Sequence, residues 1–334
     1  MYVLGIETSC DETAAAIVVD GKKIISSQVS SSLEFHSKYG GVVPEIAFRI
    51  QLETIAQVTD DAIKKAKIKL SDIGLISVTN QPGLLGSLLV GIAFAKSLSL
   101  ARGIPLLGVN HLYSHIYANM LADKALRLPF TALIVSGGHT SIFYIKDFDQ
   151  VTVLGQTQDD ACGEAFDKVA KILGLGYPGG PLIEQLAKKG DAKKIKFNCS
   201  DTDRKLDFSF SGIKTAVLYY IRDNRPSSII LRPSNKSISK ADVAASFQEA
   251  AIDTLIKKSL LACEMKKTKS LAIGGGVAAN SRLREKFVKE ATKRGVKCFF
   301  PPKSFCLDNA AMVAGFGYRL FKKGYISDLR LGTN

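Results

Sequence analysis

Two histidines stand four residues apart in the segment His111-Leu112-Tyr113-Ser114-His115. On a helix this spacing places both imidazoles on one face, as a chelating pair of metal ligands requires. A third ligand must come from elsewhere, and the spacing does not decide between the carboxylates of Asp308, Asp11 and Glu12. Two histidines with one carboxylate suit iron or zinc. A chance pair of histidines on an exposed helix is the alternative interpretation.

The same segment lacks the glutamate of the zinc-protease pattern His-Glu-x-x-His, in which that glutamate acts as the general base. Leu112, Tyr113 and Ser114 cannot take over this role. A metalloprotease is therefore supported by the histidine spacing alone.

An acidic, hydroxyl-rich turn lies near the N-terminus, in the segment Gly5-Ile6-Glu7-Thr8-Ser9-Cys10-Asp11-Glu12-Thr13. The β-branched residues on both sides predict two strands, and such a turn can present backbone amides to a phosphate. The carboxylates of Asp11 and Glu12 can hold a metal or orient a nucleophile. A polar hairpin turn without a ligand is the alternative.

Two glycine-rich turns have a similar potential. Ser136-Gly137-Gly138-His139 stands between two predicted strands, where glycines let the backbone approach a ligand closely. Gly274-Gly275-Gly276 follows a strand and precedes a helix, as at sites where phosphate lies against a helix N-terminus. The spacing is not that of the dinucleotide-binding fingerprint, and a purely structural turn is the alternative for both.

The elements that must position these segments alternate between strands and helices. Apolar, β-branched runs predict strands at 2–6, 13–19, 24–29, 73–79 and 106–109, with helices at 44–67, 86–102 and 111–122. The pattern restarts with strands at 131–136, 140–145 and 151–155, before a helix at 160–173. Later helices are predicted at 241–265, 279–294 and 309–322, later strands at 270–273 and 296–299, and an insertion or long loop at 196–240. This order predicts α/β layers with mixed sheets and an internal duplication.

The charge is distributed unevenly along the chain. The net charge of the whole chain is +14. Residues 1–125 carry 11 basic and 11 acidic side chains, whereas residues 126–334 carry 34 basic and 20 acidic ones, so the whole excess lies in the second part. The basic residues concentrate at 186–240 and 257–297. This asymmetry favours a polyanionic partner, because neutralised phosphates release counterions, and a solvated lysine-rich surface is the equally weighted alternative.

The composition excludes several classes of protein. The 334 residues are 46% apolar and 23% charged, as in soluble globular proteins of about two domains. No apolar run approaches the roughly 20 residues that span a bilayer, and no secretory signal begins the sequence. The six cysteines form no CxxC pair, which predicts a reduced, cytoplasmic protein without a four-cysteine zinc site.

Taken in order, these motifs strongly resemble the TsaD family of tRNA threonylcarbamoyladenosine synthases, formerly called O-sialoglycoprotein endopeptidases. The resemblance runs from GIETSCDET at residue 5 to CLDNAAM at residue 306 and includes HSKYGGVVPE at 36–45 and FSFSGIK at 208–214. Ser9-Cys10-Asp11-Glu12-Thr13 resembles the bacterial or organellar branch. The sequence departs from the usual family pattern at Ser114, Gln81 and Ala310, which puts the local geometry in question.

The resemblance implies an actin-like, Hsp70-like and sugar-kinase-like ATPase fold with two duplicated lobes around a nucleotide cleft. The N-terminal lobe would comprise 1–126, with the C-terminal helix at about 309–334 packing back on it, and the C-terminal lobe would comprise 127–308. The implied metal ligands are His111, His115 and Asp308, with Fe²⁺ preferred and Zn²⁺ as the alternative. Asp11 and Glu12 would lie near the reacting carbonyl. The implied substrate-binding residues are Ile134, Val135, Ser136, Gly137, Gly138, Asp167, Gly180, Glu184 and Asn280.

The implied activity is transfer of the threonylcarbamoyl group from its AMP mixed anhydride to N6 of adenosine 37, in tRNAs that read codons beginning with A. The implied partners are tRNA, a smaller paralogous protein (TsaB) and a P-loop ATPase (TsaE), with no membrane. Glycine-loop amides would stabilise the charge on the departing phosphate, and a carboxylate such as Asp11 would take the proton of the exocyclic amine. The alternatives are an ATP-dependent phosphotransferase or chaperone-like ATPase of the same fold, a non-catalytic scaffold and the metalloprotease.

Overall fold

Two five-stranded sheets form the framework of the protein, in a computed structural model that describes residues 1–224 and 239–333. The first part of the chain forms β1 (Tyr2–Glu7), β2 (Glu12–Val19), β3 (Lys23–Ser31), α1 (Leu33–Ser37), α2 (Pro44–Ala66), β4 (Ile73–Gln81), α3 (Leu85–Arg102), β5 (Leu106–Asn110) and α4 (His111–Ala122). The second part forms β6 (Phe130–Val135), β7 (Thr140–Asp147), β8 (Gln150–Gln156), α5 (Cys162–Leu173), α6 (Gly179–Ala187), α7 (Ser211–Asp223), α8 (Lys240–Lys266), β9 (Ser270–Gly274), α9 (Ser281–Thr292), β10 (Lys297–Phe299) and α10 (Ala310–Phe321).

The two sheets share one topology. The strand order is β3-β2-β1-β4-β5 in the first sheet and β8-β7-β6-β9-β10 in the second. In each sheet, the first strand pairs antiparallel with the second and parallel with the fourth, and the fourth pairs parallel with the fifth. This identity of order and direction confirms the α/β fold with two duplicated halves.

The last helix packs on the first sheet although the chain reaches it from the second. α10 contacts β1, β2, β4 and α4. Gly5 of β1 permits this close approach, because a Cβ at Gly5 would overlap the carbonyl oxygen of Ala310. Ala310 itself is fully buried in the core between α10 and the sheet. This packing supports the predicted assignment of the C-terminal helix to the first lobe, and the boundary at 126/127 stays a prediction.

The predicted long loop at 196–240 was partly wrong. It contains α7, whose Ile213, Val217 and Ile221 are buried at helical spacing in the core of the second half. Residues 225–238 of that segment lie outside the described part of the chain. α6, which the sequence analysis missed, begins in the glycine-rich stretch at Gly179. The closely spaced glycines and prolines around this start are typical of a loop, so the sequence did not indicate a helix there.

Within the described residues, α3 is the only helix long and apolar enough to cross a membrane. It contacts β4 and α2 of the first half. Its buried face includes Leu88, Val90, Ile92 and Ala95, which lie in the core of that half. The packing explains the apolar composition of this helix.

Candidate active site

The two histidines lie on the first two turns of α4, which directly follows β5. Asn110 caps the helix, since its side-chain oxygen accepts hydrogen bonds from the amides of Leu112 at 2.9 Å and Tyr113 at 3.1 Å. Capping of this kind fixes the first turn of a helix. His111 and His115 are thereby placed one turn apart, and their ring centroids are 4.6 Å apart.

Asp308 completes the predicted metal cluster from the loop that precedes α10. Its Oδ1 lies 2.9 Å from Nε2 of His115 and 3.6 Å from Nε2 of His111. The three candidate ligand atoms all lie within 4.8 Å of one another. The structure therefore brings together the two histidines with Asp308, whereas spacing alone had left Asp11 and Glu12 as equal candidates.

The charges in this cluster depend on one another. Burial disfavours the imidazolium of His111, but the carboxylates of Asp308 and Glu7 outweigh burial and raise the pKa of His111 to about 9. Burial also disfavours the carboxylate of Asp308, but the two histidines hold the pKa of Asp308 well below its usual value. The carboxylates of the cluster thus stabilise a positive charge on His111. A metal ion bound there would replace the proton that gives His111 this charge. Two imidazoles and a carboxylate in a buried cluster fit Fe²⁺ or Zn²⁺.

Glu7 is a buried acidic residue of the site that the sequence analysis did not select. It ends β1 and is 0% exposed. Its Oε1 accepts a hydrogen bond from the amide of Ser9 at 2.6 Å. Its Oε2 accepts one from the hydroxyl of Thr79 at 2.6 Å and lies 3.0 Å from Nδ1 of His111. The glutamate stood inside the recognised motif, but nothing in its spacing linked it to a histidine 104 residues away.

The turn that carries Asp11 and Glu12 is held in place by a side chain of α2. The side-chain Nε2 of Gln51 donates to the carbonyl oxygens of Cys10 and Glu12, both at 3.0 Å, and lies 3.4 Å from that of Thr8. Gln51 is 0% exposed, and its own Oε1 has no hydrogen-bond partner among the described residues. One side chain therefore fixes three carbonyl groups of the turn.

A second contact holds the same turn from the end of β3. The hydroxyl of Ser32 donates to the carbonyl oxygen of Asp11 at 2.7 Å and lies 2.9 Å from Nε2 of His36. Nδ1 of His36 accepts from the amide of Val43 at 3.2 Å, so Nε2 carries the proton and donates to Ser32. His36 therefore links the acidic turn to the segment that precedes α2.

The acidic turn lies next to the candidate metal ligands His111, His115 and Asp308. Burial, the charge of Asp308 and the charge of Asp11 together raise the pKa of Glu12 to about 10. Glu12 therefore carries a proton near neutral pH and can donate it.

The loop at Ser136–Gly138 links β6 to β7. Ile134 and Val135, which precede it, are fully buried in β6. The amide of Ser136 donates to the carbonyl oxygen of His139 at 2.8 Å, which closes the loop. A Cβ at Gly137 or Gly138 would have no heavy atom within 4 Å, so both glycines border open space. The packing of the fold therefore does not require glycine at either position.

His139 ends this loop next to the metal cluster. Burial and the positive charges of His111 and His115 lower the pKa of His139 to about 4. Its imidazole is therefore neutral near pH 7. A neutral ring can both donate and accept a hydrogen bond.

The remaining predicted substrate residues lie on the helices of the second half. Oδ1 of Asp167 in α5 accepts from the amide of Gly179 at 2.7 Å, and Gly180 borders open space at the start of α6. Oε1 of Glu184 accepts from the amide of Ser281 at 3.0 Å. These contacts connect α5, α6 and α9 around one end of the site.

Asn280 serves the fold with both ends of its amide. Its Oδ1 caps α9 by accepting from Leu283 at 2.9 Å, and its Nδ2 donates to Gln248 at 2.8 Å. One N–H of the amide stays available to a ligand. Burial and the charges of Asp11 and Asp167 raise the pKa of Tyr177, which the sequence analysis did not select.

Solved structures with the same fold support this architecture. The (R)-2-hydroxyglutaryl-CoA dehydratase component A of Acidaminococcus fermentans aligns with a TM-score of 0.57 and 16% identity, over 96% of this chain and 98% of that one. A full-length HypF aligns with a TM-score of 0.63 and 13% identity, over 96% of this chain and 46% of that one. At these identities the likeness shows the fold alone.

Sequence comparisons show the family. The family model described as tRNA N6-adenosine threonylcarbamoyltransferase matches residues 23–315. Relatives of the same name are 51% identical in Dictyoglomus turgidum, over 100% of this chain and 98% of theirs, and 52% identical in Thermosipho africanus, over 99% and 98%. The chain therefore belongs to the TsaD family of tRNA N6-adenosine threonylcarbamoyltransferases.

Proposed function

We propose that this protein transfers the threonylcarbamoyl group from threonylcarbamoyl-AMP to N6 of adenosine 37, in tRNAs that read codons beginning with A. The observation that carries the transferase function is the 51% identity to a named transferase over the full chain. The geometry adds a glycine loop, an acidic turn and a candidate metal cluster around one site. The alternatives of a metalloprotease or a chaperone-like ATPase have no comparable support.

The adenylate would lie along the second half of the site. The open backbone at Gly137 and Gly138 suits the phosphate, because amides without side chains permit close approach. Asp167 and Gly180 stand where α5 meets α6, and a carboxylate there can bind ribose hydroxyls. Ile134, Val135, Ser136, Glu184 and Asn280 complete the proposed binding surface.

His111, His115 and Asp308 would hold one divalent ion, Fe²⁺ or Zn²⁺. When bound, such an ion acts as a Lewis acid toward carbamoyl or phosphate oxygens. The protein supplies the proton transfers around it: Asp11 would accept the proton of the exocyclic amine, and Glu12, which is protonated near neutral pH, would donate toward the leaving group. The backbone carbonyl groups of Glu12 and Asp11 are held in place by Gln51 and Ser32, respectively.

The tRNA would lie against the basic second half. Lys188 lies one helical turn after Glu184, with its Nζ 3.9 Å from that carboxylate, and 69% of its side chain is exposed. Lys193 and Lys194 are also exposed. Lys258, in the second basic cluster, is only 7% exposed and donates to the hydroxyl of Thr202 at 3.2 Å. It is therefore excluded from the proposed phosphate contacts.

The proposed protein partners are the smaller paralogue (TsaB) and the P-loop ATPase (TsaE), in the cytoplasm. An exposed apolar ridge on α2 and α3 supports a protein partner. It comprises Leu52, Leu85 and Leu89, whose exposed fractions are 60%, 64% and 49%. Exposed apolar side chains on two helices that pack against each other favour an interaction surface.

The decisive experiment is nucleoside analysis of tRNA incubated with the protein, its partners, threonylcarbamoyl-AMP and ATP. Threonylcarbamoyladenosine should appear at position 37 of tRNAs reading A-starting codons. A tRNA with guanosine at position 37 provides the matched control and should stay unmodified. ATP turnover without modified adenosine would instead favour the chaperone-like ATPase.

A further inference from the structure

Glu7 lies behind His111, on the side of the ring opposite to Asp308. It is fully buried and has no role in the chemistry proposed above. A buried carboxylate is costly unless donors surround it. Here the amide of Ser9 satisfies Oε1, while the hydroxyl of Thr79 and the ring of His111 satisfy Oε2. Both carboxylate oxygens of Glu7 therefore have hydrogen-bond donors, and one of these donors is the ring of His111.

The position of this charge determines which ring nitrogen of His111 carries the proton. An ionised carboxylate only accepts hydrogen bonds, so Nδ1 of His111, 3.0 Å away, must be the donor. In the neutral ring Nε2 is then unprotonated, and Nε2 is the atom that faces Asp308 at 3.6 Å. Ser9 Oγ also lies 3.0 Å from Nδ1, but a hydroxyl can donate or accept and does not select a tautomer.

We propose that Glu7 is a positioning residue that holds His111 in the Nδ1-protonated tautomer and so keeps Nε2 available to a metal ion. A carboxylate bonded to the far nitrogen of a histidine orients the ring and raises its basicity as a ligand. The inference rests on the proposed metal site and adds a determinant of its affinity that lies outside the three ligands.

Glu7→Gln tests the inference with almost no change in volume. The amide of Ser9 is a fixed donor, so the glutamine must place its oxygen at the Oε1 position. Its NH₂ group then faces Thr79 and Nδ1 of His111. The Thr79 hydroxyl can rotate to accept, but Nδ1 must lose its proton to accept. The proton then moves to Nε2, where it blocks metal binding.

The experiment measures the zinc affinity of the full-length protein by competition with a chelator. Glu7→Gln should bind Zn²⁺ about 10–100-fold more weakly than the wild type. The matched control, Thr79→Val, removes a donor to the same Oε2 atom but leaves the carboxylate, so it should retain the affinity within about threefold. Unchanged affinity of a folded Glu7→Gln protein would overturn the inference.

Two further measurements keep the outcome clear. Long-range ¹⁵N–¹H spectra of the zinc-loaded wild type should show the proton of His111 on Nδ1, and its absence from Nδ1 would refute the inference even if Glu7→Gln does not fold.

His115→Ala tests the metal site itself. If His115→Ala and the wild type bind zinc equally, the proposed metal site is wrong, whereas loss in His115→Ala alone rejects only the role of Glu7.

Discussion

At the scale of single residues, the site contains glycines whose surroundings leave no space for a side chain and glycines that border open space. Gly163, at the start of α5, is of the first kind, because a Cβ there would lie 2.5 Å from the carbonyl oxygen of Ser136. Gly138 is of the second kind, since a Cβ there meets nothing within 4 Å. The two positions face the same loop, so they form a natural pair for mutation.

Gly138→Val should therefore abolish nucleotide binding without unfolding the protein. The branched side chain would occupy the space that a phosphate needs, and we expect AMP-type ligands to bind roughly 100-fold more weakly by calorimetry. The free energy of unfolding should change by no more than about 0.5 kcal/mol. Gly163→Val is the control and should destabilise the fold strongly. Wild-type affinity in Gly138→Val would show that the loop binds no phosphate.

His139 should make the stability of the protein sensitive to acid. Its pKa is lowered to about 4 in the folded protein, against 6.5 for an ordinary histidine. Between these values the unfolded chain binds more protons, so the free energy of unfolding falls as the pH falls from 6.5 toward 4. At pH 5 this loss amounts to about 2 kcal/mol relative to pH 7.

Urea denaturation of the wild type and of His139→Gln at pH 7 and pH 5 measures this effect. The glutamine variant cannot take up the proton, so its stability relative to the wild type should rise by about 2 kcal/mol on acidification. Equal stability differences at the two pH values would contradict the lowered pKa of His139.

At the scale of secondary-structure elements, α2 positions the acidic turn through Gln51. Gln51→Met retains the length of the side chain but removes the donor shared by the carbonyl oxygens of Thr8, Cys10 and Glu12. Buried carbonyls that lose a donor cost about 1–3 kcal/mol of stability. Because the turn carries Asp11 and Glu12, we expect kcat to fall while the KM for tRNA changes little.

The chain offers a matched control on the same helix. Gln57 is exposed and bonds only to Asp61 at 3.0 Å. Gln57→Met should therefore leave both stability and kcat close to the wild-type values. Steady-state kinetics on the two variants decides the point: equal kcat values would show that Gln51 does not position the turn.

The sequence predicted elements well where local signals and packing agree. The helix at 111–122 was predicted with its observed bounds, because Asn110 is a strong cap and the apolar positions follow at helical spacing. α2 was predicted over nearly its full length, at 44–67 against the observed Pro44–Ala66. Its buried face includes Ala47, Gln51 and Ile55. A polar glutamine on the buried face is invisible to an apolar pattern.

The candidate site was predictable only in pieces. The histidine spacing indicated a metal pair, and the glycine turns indicated a phosphate. The contact between His115 and Asp308 joins residues 193 positions apart, so it depends on how α10 returns to the first sheet. No local pattern carries this information, and only the family resemblance selected Asp308. The contacts of Glu7 with His111 and of Gln51 with the turn have the same tertiary origin.

At the scale of the whole molecule, the exposed ridge of Leu52, Leu85 and Leu89 should bind the smaller paralogue. Leu52→Glu together with Leu89→Glu would place two charges in an apolar interface, and we expect at least a tenfold loss of affinity. Leu100→Glu is the control, because Leu100 is 71% exposed on the same α3 but lies about 16 Å farther along it. Light scattering of the mixed proteins measures the complex, and undiminished assembly of the double variant would place the interface elsewhere.

The charge asymmetry of the molecule leads to a prediction about tRNA. Each phosphate contact contributes about −0.7 to −0.9 to the slope of log affinity against log salt. Replacing Lys188, Lys189, Lys193 and Lys194 with alanine should therefore make the slope shallower by up to about 3.6. Binding of the adenylate should not change, because none of the four belongs to the proposed binding surface. Filter binding of tRNA at several salt concentrations, with and without the partner proteins, measures the slope.

The first half of the chain supplies the matched control for this experiment. Alanine at Lys22, Lys23, Lys65 and Lys69 removes the same charge from exposed positions in the half whose net charge is zero. If the second half binds the phosphates, this control should keep the wild-type slope. The removed charges are distant and screened, so the number of counterions that are released when tRNA binds stays the same. Equal slopes for both variants and the wild type, in the free protein and in the complex, would mean that the lysines after Glu184 are a solvated surface. The tRNA would then have to be held by the partner proteins or by the cleft itself.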